Sequence, residues 1–113
     1  MTYDAFEVVV VPFPFTDRSE EKRRPALVLS SASSFGKRAG HSVMAMITSV
    51  KDNSARWPLD VEIRDLAAAG LSVPSLIRMK LFTLDHRLVL RRAGQLSTSD
   101  QRAVRAALAK LLP

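Results

Sequence analysis

Cysteine is absent from this chain of 113 residues, which rules out disulfides and thiolate metal sites. That fits a reducing compartment, and a cytoplasmic protein is expected. Long apolar runs are absent as well. The longest, Phe6 to Phe15, is interrupted by Glu7, Pro12 and Pro14 and falls well short of the ~20 apolar residues that cross a bilayer. The opening Met1-Thr2-Tyr3-Asp4 carries no positive charge ahead of an apolar run, so neither a membrane segment nor a signal peptide is expected. There is no glycine-rich phosphate loop, no spacing of metal ligands and no Gly-x-Ser-x-Gly elbow. Neither a metal nor a cofactor is expected.

Acidic residues are in short supply: 11 Asp+Glu stand against 17 Lys+Arg, a net charge of +6. Such an excess draws polyanions, raising their local concentration and association rate. The cations are twelve arginines and five lysines, a bias that favours planar, bidentate contacts with phosphate over the lysine point charge. Charge alone is equally compatible with a merely soluble basic surface. The length suits a single domain over residues 1–113, with one modest core to which a partner subunit would add stability.

Along the chain, Glu7 to Pro12 is a β-branched run closed by proline and reads as a buried strand. Phe13-Pro14-Phe15-Thr16-Asp17 cannot continue a central strand because Pro14 lacks a donor, and Arg18 to Arg24 reads as a charged loop. Pro25 to Ser30 is a second strand, Ser31 to Gly40 a mobile loop, and Ser42 to Val50 a third strand. Leu59 to Ile63 alternates like a half-exposed strand. Arg64 to Ala69 suits one or two helical turns stopped by Gly70. Ser75 to Leu84 reads as a long strand, Leu88 to Leu90 as a short one, and Gly94 as a turn. Ser97 with Asp100 resembles a capping box, and Val104, Leu108 and Leu111 recur on one face of a C-terminal helix. Short strands followed by one long helix predict a mostly β, or α+β, protein: a small, twisted antiparallel β-barrel with a C-terminal α-helix.

Two histidines, His41 and His86, stand far apart in polar company, and a surface position is expected for both. The only tryptophan lies in Arg56-Trp57-Pro58. A lone tryptophan commonly closes one end of a small core; in a basic loop it also suits stacking on an unpaired base.

Three segments carry more. Val11-Pro12-Phe13-Pro14-Phe15-Thr16-Asp17 is followed by Lys22-Arg23-Arg24-Pro25-Ala26-Leu27-Val28-Leu29-Ser30; Ile47-Thr48-Ser49 ends a strand; Gly70-Leu71 and Pro74-Ser75 lead into Leu76-Ile77-Arg78 and Leu81 to Asp85. In this combination, from about Glu7 to Leu112, the chain resembles the MazF/PemK toxins. The resemblance implies a small SH3-like barrel with a C-terminal helix. It also implies a toxin of a type II toxin–antitoxin pair that cleaves single-stranded messenger RNA without a metal. Such an endoribonuclease must deprotonate a 2′-hydroxyl, stabilise charge on the phosphoryl oxygens and protonate the leaving 5′-oxygen. By the family pattern Arg24 and Thr48 serve the scissile phosphate. Asp17, Lys22, Arg23, Ser49, Arg56, Trp57, Arg78 and Lys80 are the residues expected to meet the RNA. A homodimer and a cognate acidic antitoxin are the implied partners.

The chain departs from the pattern in two places. Phe6-Glu7 stands where many relatives begin their first strand with Gly-Asp. Arg78-Met79-Lys80 puts lysine where some members carry an acidic residue, two positions after an arginine, that serves as acid or base. The proton-transfer residue is therefore open, with Asp17, Glu20 and Glu21 as candidates. Two other readings follow from the same fold. One is a non-enzymatic poison like the CcdB-type gyrase inhibitors, although this chain ends Lys110-Leu111-Leu112-Pro113, without their terminal tryptophan tripeptide, and has the Arg-Pro that they lack. The other is a basic barrel that binds nucleic acid without cutting it.

Overall fold

A computed structural model describes residues 1–13, 22–51 and 55–113. The valine run forms β1 (Glu7–Phe13), and both of its faces are covered: Val8 belongs to one buried cluster, Val9 and Val11 to another. Burial on both sides explains why the run does not alternate with polar residues. β2 (Lys22–Val28), β3 (His41–Ser49), β4 (Val61–Glu62), β5 (Ser75–Asp85) and β6 (Arg91–Gln95) complete an antiparallel sheet in the order β4-β5-β3-β2-β1-β6. The sheet curls into a half-barrel, and helix α3 (Thr98–Leu111) packs against it, burying Val104 and Ala107 beside Val8, Leu27, Ala45 and Ile77. Among the described residues no helix is long and apolar enough to cross a membrane.

Several local readings are corrected. Arg24 is not on a loop: β2 begins at Lys22, because its backbone pairs with the end of β1. Ser31 to Gly40 is not an open loop; it winds through a helical turn at Ala32–Gly36 into α1 (Lys37–Ala39), started by the Ser31 hydroxyl accepting the Ser34 N–H. Leu88 to Leu90 is not a strand. Asp85 accepts the Arg87 N–H, β5 stops, and a 3-10 turn (His86–Leu88) precedes β6. Gly94 lies within β6, where a Cβ would collide with the backbone of Ala68 and Ala69 in α2 (Leu66–Ala69). Gly70 caps α2 in a left-handed conformation and meets Ala93 just as closely, so these two glycines let α2 lie directly on β6.

The capping-box reading is half right. The Ser97 hydroxyl accepts the Asp100 N–H, but the Asp100 carboxylate reaches across to the N–H groups of Arg64 and Asp65. The buried aspartate thus fastens α3 to the segment between β4 and α2. His86 is buried rather than on the surface, hydrogen-bonded to Ser42 Oγ at 2.7 Å and edge-on to the Tyr3 ring. His41 stays partly exposed near Asp85.

Candidate functional site

The amino-terminal half of β2 is Lys22-Arg23-Arg24-Pro25, held to β1 through Lys22 against Phe13, Arg23 against Pro12 and Arg24 against Val11. Successive strand residues face opposite ways, so Arg23 and Arg24 point to different sides of the sheet. Arg24 is half-buried on the side of Val9, Val11 and Ala26. Its guanidinium carbon lies 5.9 Å from the Phe13 ring centroid. Its Nε is buried and has no hydrogen-bond partner among the described residues. An unmatched buried donor costs on the order of 1–3 kcal/mol, so this nitrogen is placed to take an acceptor from beyond the described residues.

Thr48 lies on the neighbouring strand. β2 meets β3 through Ala26 against Met46, Leu27 against Ala45 and Val28 against Met44. Arg24 stands two residues before Ala26 and Thr48 two residues after Met46, so both turn to the same face of the sheet. On the far side of β3, Met46 faces Arg78 and Thr48 faces Leu76. Arg24, Thr48 and Arg78 therefore occupy one face of three adjacent strands. Ser49, one residue on, faces Ser75 and turns to the other side.

Arg78 is used differently from Arg24. It is 6 % exposed, and its Nε and Nη2 donate to the two Asp60 carboxylate oxygens at 3.2 and 2.9 Å. Nη2 also donates to the Ala55 carbonyl. Burial opposes ionisation of Asp60, but the Arg78 hydrogen bonds, the Trp57 N–H and the charges of Arg78 and Arg56 outweigh it, and the carboxyl titrates below its usual range. The Trp57 ring lies on the Arg78 guanidinium at 4.9 Å. Trp57 is 44 % exposed, so it does not close the core as a lone tryptophan commonly does. Arg56 is exposed beside it.

Lys80 sits where the β3–β5 register slips. Ala45 pairs with Leu81 and Met46 with Arg78, so Met79 and Lys80 form a bulge. The exposed Lys80 places its Nζ 5.9 Å from the same Phe13 ring that Arg24 approaches. At the end of the sheet where β2 begins, a cleft of about 570 Å³ is lined by Lys22, Arg23, Arg24, Ser49, Ser75 and Arg91, among others, and no carboxylate lines it among the described residues. Asp17, Glu20 and Glu21 lie outside the described residues.

Three contributors escaped the reading of the sequence. Asp60 was visible only as the polar member of an alternating strand. Phe13 was quoted as part of a loop motif, not as a surface for cations. Arg91 was hidden in a doublet, Arg91-Arg92, whose two members have different surroundings: Arg92 approaches Glu7, while Arg91 lines the cationic cleft.

A curled antiparallel half-barrel with a C-terminal helix, carrying at one end a cleft lined by cations with no carboxylate among the described residues, defines a small basic β-protein. The model of PemK-like, MazF-like toxins of type II toxin–antitoxin systems matches residues 4–112, and the chain belongs to that family. Solved structures agree in fold. A MazE–MazF complex from Deinococcus radiodurans is 24 % identical with a TM-score of 0.76, covering 99 % of this chain and 97 % of that one. An endoribonuclease in complex with its cognate antitoxin from a mycobacterial species is 14 % identical with a TM-score of 0.73, covering 98 % and 93 %. The Mycobacterium tuberculosis toxin MazF-mt6 is 20 % identical with a TM-score of 0.70, covering 92 % and 93 %. No curated protein sequence matches the chain.

Proposed function

We propose that this toxin-family protein is a metal-independent endoribonuclease that cleaves single-stranded RNA in the cytoplasm, folded as a single domain. The observation that carries the reading is Arg24: a half-buried arginine whose Nε has no partner among the described residues, on the same face of the sheet as Thr48 and at the edge of a cleft lined by cations. Arginine keeps its charge at any ordinary pH, so Arg24 serves as a fixed positive fork on the phosphoryl oxygens rather than as a proton donor. Thr48 donates its hydroxyl to a phosphate oxygen. The 2′-oxygen loses its proton to a base and bonds to phosphorus; the bond to the 5′-oxygen breaks, and that oxygen takes up a proton. The products are a 2′,3′-cyclic phosphate and a free 5′-hydroxyl. Lys22, Arg23, Ser49 and Lys80 hold the flanking strand. Arg78, ion-paired to Asp60, acts through Trp57 and its loop rather than through its own charge.

The protein acts as a homodimer, since a chain of this size buries a limited core and gains from a partner. It is restrained by an acidic antitoxin, whose carboxylates suit the arginines that hold phosphates. An antitoxin segment disordered alone and ordered on the toxin would weaken its hold as salt rises.

The test is to incubate the pure protein with a long single-stranded RNA, with and without excess chelator. Cleavage unchanged by chelator is expected, with 2′,3′-cyclic phosphate ends. Loss on chelation and recovery with magnesium would overturn the mechanism. Tight RNA binding without cleavage would favour a non-cutting nucleic-acid-binding protein, the reading to which the lysine at position 80 is best suited.

A further inference from the structure

Resting on RNA as the substrate, we infer that Trp57 is a preorganised stacking platform for one unpaired base beside the scissile phosphate, with Asp60 and Arg78 as the residues that position it. The ring is held before any ligand arrives. Asp60 accepts the Trp57 backbone N–H at 2.8 Å and takes both donors of Arg78, while the Asp60 N–H returns to the Trp57 carbonyl at 3.3 Å. The guanidinium so fixed lies against the indole. A loop tip that would otherwise sample many ring orientations thus presents one, and the ordering that binding normally demands is already done.

The charge balance says what the platform takes. Asp60 neutralises Arg78 at 2.9 Å with both side chains buried, so a phosphate gains little from that arginine. What remains on the surface is an aromatic ring, still 44 % exposed with Arg78 against it. A nucleobase is the matching ligand, since every base offers a π-face and stacking tolerates any sequence. The strand register gives the place. Arg78 faces Met46, two residues before Thr48 on β3, and Ala26, two residues after Arg24 on β2, faces Met46 from the other side. A strand whose phosphate lies on Arg24 and Thr48 has its neighbouring nucleotide within reach of Trp57.

Because Trp57 is the only tryptophan, its emission reports this contact alone. The probe is a 2′-O-methyl RNA 12-mer, which lacks the attacking hydroxyl and stays intact. Saturable quenching of Trp57 emission is expected, and an abasic 12-mer with the same backbone should bind without quenching. In cleavage assays Trp57→Ala should raise KM by roughly 10-fold, about 1.4 kcal/mol, with kcat within about twofold, as befits a contact made equally in ground and transition states. Trp57→Phe keeps a stacking face and should recover most of the loss. Asp60→Asn should reduce the quenching amplitude by freeing the ring. Circular dichroism confirms that each variant is folded, and Trp57→Phe carries the test should Trp57→Ala unfold. Cleavage by the wild type with no quenching and an unchanged KM in a folded Trp57 variant overturns the platform while sparing the nuclease reading. Quenching by the 12-mer without any cleavage of RNA does the reverse.

Discussion

The two ends of the sheet carry clefts of opposite character, and the larger is the less inviting. Where β3 begins and β5 ends, a cleft of about 830 Å³ gathers Glu7, His41, Asp85, Arg87 and Arg92, with Arg91 shared between the two clefts. Its charges are largely matched within the chain: Arg87 meets Asp85 at 2.7 Å, Arg92 meets Glu7 at 3.6 Å, and His41 lies 3.9 Å from Asp85. The Arg87 hydrogen bonds hold the Asp85 carboxyl well below the usual carboxylate range. At the other end, about 570 Å³ is lined by Lys22, Arg23, Arg24 and Arg91 without a carboxylate among the described residues. Among the described residues, the smaller cleft holds the charge that is left unmatched. Such charge is what a polyanion can still neutralise, releasing its own counterions as it does so.

The comparison is broken most forcefully at Arg24. Arg24→Ala should lower cleavage by about 10²–10³-fold, the usual loss when one donor to a developing oxyanion is removed, with an unchanged circular dichroism spectrum. Arg24→Lys should also be impaired, because the fork is lost. Wild-type turnover by folded Arg24→Ala protein would remove Arg24 from the chemistry. Asp60→Ala should cost stability instead, about 3–5 kcal/mol, because it strands the buried Arg78 charge; a denaturant midpoint close to wild type would contradict the ion pair.

The pH dependence of that pair sharpens the point. Asp60 titrates below its ordinary value when folded, so its contribution is complete above the unfolded value, about 3.9, and is lost as pH falls through the lower, folded value. The stability gap between wild type and Asp60→Asn should hold steady from pH 7 to pH 5 and shrink below about pH 4. A gap that persists in strong acid would show that the loss has another cause. Smaller still, Arg23→Ala should weaken RNA binding several-fold and flatten its salt dependence by about one phosphate contact. Arg92→Ala, at the balanced end, should leave both cleavage and affinity alone, and an effect there equal to that of Arg23→Ala would erase the distinction between the clefts.

Much of this was legible in the sequence. Strand-forming valines, the Gly70 cap and the amphipathic C-terminal segment each declare themselves locally, and they suffice for a mostly antiparallel protein with a terminal helix. Arg24 and Thr48 came from a motif resemblance, and the alternation along β2 and β3 turns both to one face of the sheet. What was not legible depends on partners distant in the chain. Lys22-Arg23-Arg24 looks like loop because its strand character comes from pairing with β1, not from propensity. Asp100 looks like half of a capping box because nothing local announces Arg64 and Asp65 as its acceptors' partners. Arg78 looks like a free cation until Asp60 is seen beside it, and His86 looks exposed until Tyr3 and Ser42 enclose it.

The strand order has a consequence for synthesis. β1 lies between β2 and β6, with Val8 opposite both Leu27 and Gly94. As the chain leaves the ribosome, β1 emerges early, but its second neighbour follows only after all the intervening strands. At about 5–20 residues per second that interval is several seconds, and loop closure over such a span is slow in itself. Through that interval β1 keeps one edge open and Gly94 has yet to lock α2 in place. A nascent chain of this design carries its cationic end long before it carries a finished sheet.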